Sequence, residues 1–328
     1  MSSWIQRVRE TALRNRPSRK PQLWADPLLA LRRRVAFEVN RRTNDGWMDR
    51  TQIVELSRAG FVENGAAPLR VAVVPRESIS QTLFLYGSFE ISETRLIQSV
   101  LRPGMTFVDV GANIGYYTVI GARLVGPRGK VHAFEPHAGI RAKLEDNIAR
   151  NGFDNVAVHA EAMAERTGTV AFFASAVDQN QGISSIIPGA GREASAPVPS
   201  VSLDDFASRL GPARIDLVKM DIEGAEMQVI AGGRRTLAAA DAPAIIFEAG
   251  DLAPIAEALR AFGYRIKRHH YTLDRGLELL EPDAEFDDIF RAYEAPNYFA
   301  AKDEGVFEAA LGAANAGRSP MVRLLGRI

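Results

Sequence analysis

The sequence predicts a doubly wound α/β domain, a mostly parallel sheet with helices on both faces, behind a mainly helical N-terminal extension. Three observations predict it. From residue 105 onward, short runs of strand length recur. Helical periods of ten to fifteen residues separate them. The runs are apolar nearly throughout rather than alternating, which is the pattern of strands buried on both faces.

Residues 1–65 read as irregular helices separated by Pro17, Pro21 and Pro27, with no strand alternation. Trp4, Ile5, Val8 and Leu13 would line one side of an Arg-rich amphipathic helix, and Arg32, Arg33 and Arg34 beside Leu28, Leu29, Leu31 and Val35 read as a helix with a charged face. LRVAVV (69–74) and TLFLY (82–86) read as extended, and Ile91, Leu96, Ile97 and Val100 recur at helical spacing up to Pro103. The strands expected next are MTFVDV (105–110), KVHAFE (130–135), NVAVHAEA (155–162), IDLVKMD (215–221), AIIFEA (244–249) and YRIKR (264–268). Between them fall helices carrying Tyr117, Ile120 and Leu124, then Ile140, Leu144 and Ile148 up to Asn151-Gly152, then 224–238 and 251–262. GTVAFFA (168–174) reads as an added strand or hairpin arm, 175–199 as a long aperiodic loop rich in Gly, Ser, Ala and Pro, and 303–328 as a frayed tail. The organisation expected is an extension over 1–65, an α/β domain over 66–302 and the tail.

Composition narrows the function classes. With 328 residues, 46% apolar and 24% charged, the chain holds enough material for one large or two small folded domains. No run approaches the roughly 18 apolar residues of a membrane span, so no transmembrane segment is expected. The absence of cysteine removes disulfides, thiolate zinc sites, iron–sulfur clusters and cysteine nucleophiles. Forty basic and forty acidic residues cancel, yet the first fifty residues hold 12 Lys and Arg against 5 Asp and Glu, leaving the remainder net acidic. That arm lacks the apolar core of a secretory signal and shows little aromatic interleaving, so the expected setting is the cytoplasm and no nucleic-acid partner is expected.

The chemistry gathers at FVDVGANIGYYT (107–118), an acidic strand end followed by two glycines four apart and a helix. Gly111 permits a tight turn, Gly115 a close helix approach, and N–H groups at the helix start could meet a polar ligand; Asn113 lies between them. Glu135 ends the next strand, where an acidic residue commonly accepts hydrogen bonds from a ribose diol. A dinucleotide needs GxGxxG, and the run Gly111-Ala112-Asn113-Ile114-Gly115-Tyr116 departs from it. S-adenosylmethionine, with an ammonium, a carboxylate and a ribose, fits better, with Asp109 placed to hold the ammonium directly or through water. A nicotinamide-dependent oxidoreductase is the alternative.

These motifs resemble the FkbM-type S-adenosylmethionine-dependent methyltransferase family. The resemblance covers about residues 80–300 through FVDVGANIGYYT, VHAFEP (131–136), VSLDDF (201–206), IDLVKMDIEGAE (215–226), IIFEAG (245–250) and FGYRI (262–266). It implies a class I methyltransferase (Rossmann-like) fold, a seven-stranded sheet with one antiparallel hairpin at its edge, and methyl transfer to a hydroxyl oxygen of a sugar, glycoconjugate or secondary metabolite. It also implies an adenine contact from Glu161. A catalytically idle binding protein of the same fold is a further alternative.

Methyl transfer to an alcohol needs alignment and a proton acceptor. Asp221 and Glu223, at the carboxyl edge of the sheet, are candidates, and His137 is another. Asp221, Glu223 and Glu226 can instead be read as hard oxygen ligands for Mg²⁺, a reading that is not favoured, and no residue is assigned to a metal. Glu226 at a helix start can also serve the helix dipole alone. His159 reads as a sheet histidine, and His269 and His270 as edge residues. The loop 175–199 is expected to be an acceptor-side lid, with Gly182, Gly189 and Gly191 as hinges, Ile183, Ile186 and Ile187 as apolar cover, and Ser184 and Ser185 facing the acceptor's hydroxyls.

Overall fold

Strands apolar on both faces need helical cover on both sides, and the computed structural model shows that cover over most of the chain. Residues 27–43, 46–56, 67–175, 184–189, 191–272, 276–284 and 296–315 are described. The chain divides into two units, Met1–Ile91 and Ser92–Ile328.

In the first unit, helix α1 (Pro27–Thr43) and a 3₁₀ turn (Trp47–Asp49) precede strand β1 (Gln52–Glu55), which pairs antiparallel with β2 (Arg70–Val73), and helix α2 (Ser78–Tyr86) closes it. Phe37 meets Trp47 edge-on, and Trp47 meets Phe84 edge-on, giving this unit its own small aromatic core with Leu85. Three sequence expectations change here. TLFLY is helical rather than extended, because Leu83 and Leu85 are buried within a run that starts at Ser78. A strand, β1, lies within the stretch read as helical. The boundary falls at 91/92 rather than 65/66, because LRVAVV is held to β1 by its ladder. The Trp4–Leu13 helix lies outside the described residues.

The second unit begins with helix α3 (Ile91–Val100). Its sheet contains β3 (Thr106–Val110), β4 (Lys130–Phe134), β5 (Val156–His159), β9 (Leu217–Met220), β10 (Ala244–Glu248), β11 (Arg265–Thr272), β12 (Gly276–Leu280) and β13 (Asn297–Ala301). Their spatial order is β12-β11-β13-β10-β9-β3-β4-β5. Strands β5, β4, β3, β9 and β10 are parallel, and β13 inserts antiparallel between β10 and β11. This is the doubly wound class I methyltransferase order, with the crossover reversing at β3. An eighth strand, β12, extends the seven expected.

Alternation on each strand sorts the core. Val108, Val110, Val218, Met220, Ile245 and Phe247 face one cluster. It is covered by α6 (Leu203–Leu210), α7 (Glu226–Ala231), α8 (Arg234–Ala238) and α9 (Leu252–Ala261). The opposite face is covered by α4 (Tyr116–Val125) and α5 (Ala138–Arg150). There Gly121 of α4 lies so near the Phe107 ring that a β-carbon would meet it at 2.4 Å, which is how α4 settles onto β3. The helix read over 224–238 is two, separated at Gly232-Gly233.

A separate sheet of three strands is ordered β6-β8-β7, from β6 (Ala162–Met163), β7 (Gly168–Ser175) and β8 (Arg192–Val201). GTVAFFA is thus a hairpin arm. The loop read over 175–199 ends at 191, because REASAPVPSV is strand; Pro197 falls in the irregularity between the Val170–Val198 and Phe172–Ser195 pairs, where no ladder bond is required of it. The tail read as frayed carries helix α10 (Glu304–Asn315); 316–328 lie outside the described residues.

Candidate active site

Strand β3 lies between β4 and β9, so the ends of all three meet at one point of the carboxyl edge. The chain leaves β3 in a turn that only glycine permits. Gly111 has φ +79°, and a β-carbon there would stand 2.2 Å from the carbonyl oxygen of Asp221. Asp221 N–H in turn donates to the Val110 carbonyl at 3.2 Å. The two motifs are therefore seated directly on each other.

The N–H groups of the turn are engaged within the protein. Those of Gly111 and Ala112 donate to the Phe134 carbonyl, that of Asn113 to Glu135 Oε2, that of Ile114 to Asn113 Oδ1 and that of Gly115 to the Ala112 carbonyl. The N–H groups expected to meet a ligand belong to the helix start, which begins at Tyr116; over residues 111–115 the turn offers shape, and its donors hold that shape. Asn113 adopts φ +52°, tolerated because its short side chain bonds locally. Gly115 serves helix packing: a β-carbon would meet Leu144 of α5 at 2.6 Å.

Glu135 is 6% exposed and is tied on both oxygens, Oε2 to Asn113 N–H at 3.0 Å and Oε1 to His137 N–H at 2.9 Å. Burial pushes its carboxyl up to about 7 against the opposing backbone donors and Arg141. Each oxygen retains a lone pair beyond these bonds, enough to accept from two vicinal hydroxyls.

Asp109 differs from its expectation. It is fully buried, its Oδ2 accepting from Thr118 Oγ1 at 2.6 Å, while Oδ1 has no hydrogen-bond partner among the described residues. Burial raises its carboxyl above the ordinary value, opposed by Lys219 and Thr118. With no exposed face, it braces β3 against α4 instead of meeting an ammonium directly.

Asp221 is 30% exposed at the end of β9, and its Oδ2 accepts from Lys219 Nζ at 3.3 Å. Glu223 takes φ +58°, a strained setting for a residue with a side chain. Arg192 holds it there, donating to its carbonyl at 3.1 Å and reaching its carboxylate at 3.5 Å. Glu226 Oε1 accepts from Ile222 and Gly224 N–H, closing the turn, and burial raises its carboxyl. The three carboxylates thus have three different partners, and among the described residues no group of three or more His, Cys, Asp or Glu could hold a metal ion.

His137 is the N-cap of α5: its Nδ1 accepts from Ile140 N–H at 3.3 Å, which leaves the proton on Nε2 and gives an acceptor hydroxyl no lone pair. Glu161 pairs with Arg209 at 2.7 Å and approaches His159 Nδ1 at 3.8 Å. His159 is indeed a sheet histidine, stacked on Phe134 and bonded to His132. His269 is buried, not an edge residue, and bonds Ser92 at 2.8 Å. Ser185 and Ser184 turn to the protein: Ser185 Oγ donates to the Ile222 carbonyl and Ser184 Oγ accepts from Ser175 N–H. Gly182 and Ile183 lie outside the described residues.

Sequence reasoning missed Glu93 and assigned Lys219 no role at the site. Glu93 sits on α3, read only for its apolar face, and its carboxylate lies 3.9 Å from Lys219 Nζ.

The chain matches the model of the methyltransferase FkbM domain over residues 109–266. It is 30% identical over 190 residues to the 31-O-demethyl-FK506 methyltransferase FkbM of Streptomyces tacrolimicus, covering 49% of this chain and 72% of that relative. The 2-O-methyltransferase NoeI of Sinorhizobium fredii is 29% identical over 157 residues, covering 44% of this chain and 63% of that one. The AMB antimetabolite synthetase AmbE of Pseudomonas aeruginosa is 28% identical over 190 residues, covering 47% of this chain and only 9% of that relative's length.

Proposed function

The chain belongs to the FkbM methyltransferase family, and from that premise we propose that it transfers a methyl group from S-adenosylmethionine to a hydroxyl oxygen of a small molecule, a sugar, glycoconjugate or secondary metabolite. The observation that carries the reading is the seating of the Gly111 turn on Asp221. It joins, around the end of one strand, a buried carboxylate with lone pairs to offer, Glu135, and a partly exposed one, Asp221.

These residues fit an adenosyl ligand. Glu135 would accept from the ribose diol, the side-chain-free Gly111 would let the ligand lie close to the main chain, and Glu161 would reach the adenine amino group beside its Arg209 partner. Asp109 acts behind the turn, fixing it through Thr118. When bound, S-adenosylmethionine supplies an electrophilic methyl on a sulfonium. The protein's part is to align the acceptor and take its hydroxyl proton, and Asp221 Oδ1 is the atom for that proton, since Oδ2 is held by Lys219. Glu223 is drawn to Arg192 and His137 to its helix cap, so neither competes for the role. The names of two relatives, a 2-O-methyltransferase and a 31-O-demethyl-FK506 methyltransferase, support oxygen as the acceptor atom.

Calorimetric titration tests the ligand assignment. Binding of S-adenosylmethionine and of its demethylated product, with none of NADH, is expected; tight NADH binding alone would return the site to hydride chemistry.

A further inference from the structure

Lys219 is 2% exposed in the middle of a central strand whose four residues are all buried. Leu217, two residues earlier on the same face of β9, shows what such a position ordinarily holds. An ammonium there must be removed from water, and such a charge is tolerated only where partners surround it. The partners come from several elements. Asp221 Oδ2 lies at 3.3 Å and Glu93 Oε1 of α3 at 3.9 Å, the Tyr117 ring of α4 has its centroid 4.6 Å from Nζ, and Asp109 of β3 feels the charge.

The exposures are graded. Glu93 is 4% exposed, Lys219 2% and Asp221 30%. The ammonium is thus anchored in the interior and presents its charge to the one carboxylate of the set that reaches the surface at the carboxyl edge. Stability alone gives no reason for this choice, because well-packed apolar residues replace buried ion pairs at little cost or with gain.

We infer that Lys219, backed by Glu93, is a positioning residue that fixes the rotamer of Asp221, so that Oδ1 is turned to the acceptor hydroxyl. The inference rests on the methyltransferase reading. It involves no bond to Lys219 itself: the hydroxyl proton passes to Asp221, and the ammonium keeps its own protons throughout.

The test compares wild type, Asp221→Asn, Lys219→Met, and the double variant Glu93→Gln with Lys219→Met, which leaves no buried charge orphaned at Glu93. Three readouts are taken: methyl transfer from labelled S-adenosylmethionine to an accepted alcohol, donor affinity by calorimetry, and the unfolding midpoint. The double variant should keep its midpoint within a few degrees and its donor Kd within about twofold, while turnover falls about tenfold to a hundredfold. The combined triple variant should be no slower than Asp221→Asn alone, since the effects of residues acting as a unit are not additive. Wild-type turnover in the folded double variant, or a full further loss on adding Asp221→Asn, would overturn the inference and leave the methyltransferase reading standing. Absence of donor binding and transfer in the wild type would sink that reading, and the inference with it.

Discussion

The main chain of Asp221 occupies the space in which a side chain at Gly111 would stand, its carbonyl oxygen 2.2 Å from the position of a β-carbon there. Gly126 shares the positive φ, at +63°, but has nothing within 4 Å. The pair separates strain from collision. Gly126→Ala should destabilise by about 1 kcal/mol with donor affinity unchanged. Gly111→Ala should cost about 2 kcal/mol or more and weaken donor binding at least tenfold. Thermal unfolding and calorimetry on both variants check this, and equal effects at the two sites would contradict it.

Glu135 makes stability depend on pH. Its native carboxyl is raised to about 7 from 4.5, so it favours the folded state fully below pH 4.5 and loses that contribution as pH rises through 7. The contribution is at most about 3 kcal/mol. Denaturant unfolding across that window should show the slope in the wild type, and Glu135→Gln should flatten it.

Ligand hydroxyls that donate to Glu135 favour its ionised form, so donor binding near pH 6 should release a proton. Binding enthalpies measured in two buffers of different ionisation enthalpy should differ accordingly. Identical enthalpies would detach Glu135 from the ligand.

Arg192 and Ser185 fasten the segment around 184–192 to the 222–223 turn. Arg192→Ala should release Glu223 from its strained backbone and raise the acceptor KM several-fold, with donor affinity unchanged. Steady-state kinetics in each substrate check it; a loss confined to donor binding would place this latch elsewhere in function.

Much of the fold was legible in the sequence because buried parallel strands announce themselves as short apolar runs, as MTFVDV and AIIFEA do. TLFLY misled because a short apolar run carries no period, and only Ser78–Gln81 ahead of it make it a helix. REASAPVPSV was hidden by its prolines, of which Pro197 falls where the β7–β8 ladder is irregular and Pro199 stands opposite Thr169. The placement of Gly111, Glu135 and Asp221 together at the carboxyl edge was readable because each lies at a strand end. Three details were not: the burial of Asp109, the capping role of His137 and the approach of Glu93 to Lys219. Each depends on which helix settles on which face, and no local pattern records that.

The central claim, methyl transfer to a hydroxyl with Asp221 as proton acceptor, is tested most directly by mass spectrometry of products formed from methyl-labelled S-adenosylmethionine and a panel of hydroxylated small molecules. The account predicts a labelled methyl ether from the wild type, and about a hundredfold less of it from Asp221→Asn at undiminished donor affinity. Label on nitrogen or carbon, or equal ether formation by the two proteins, would contradict it.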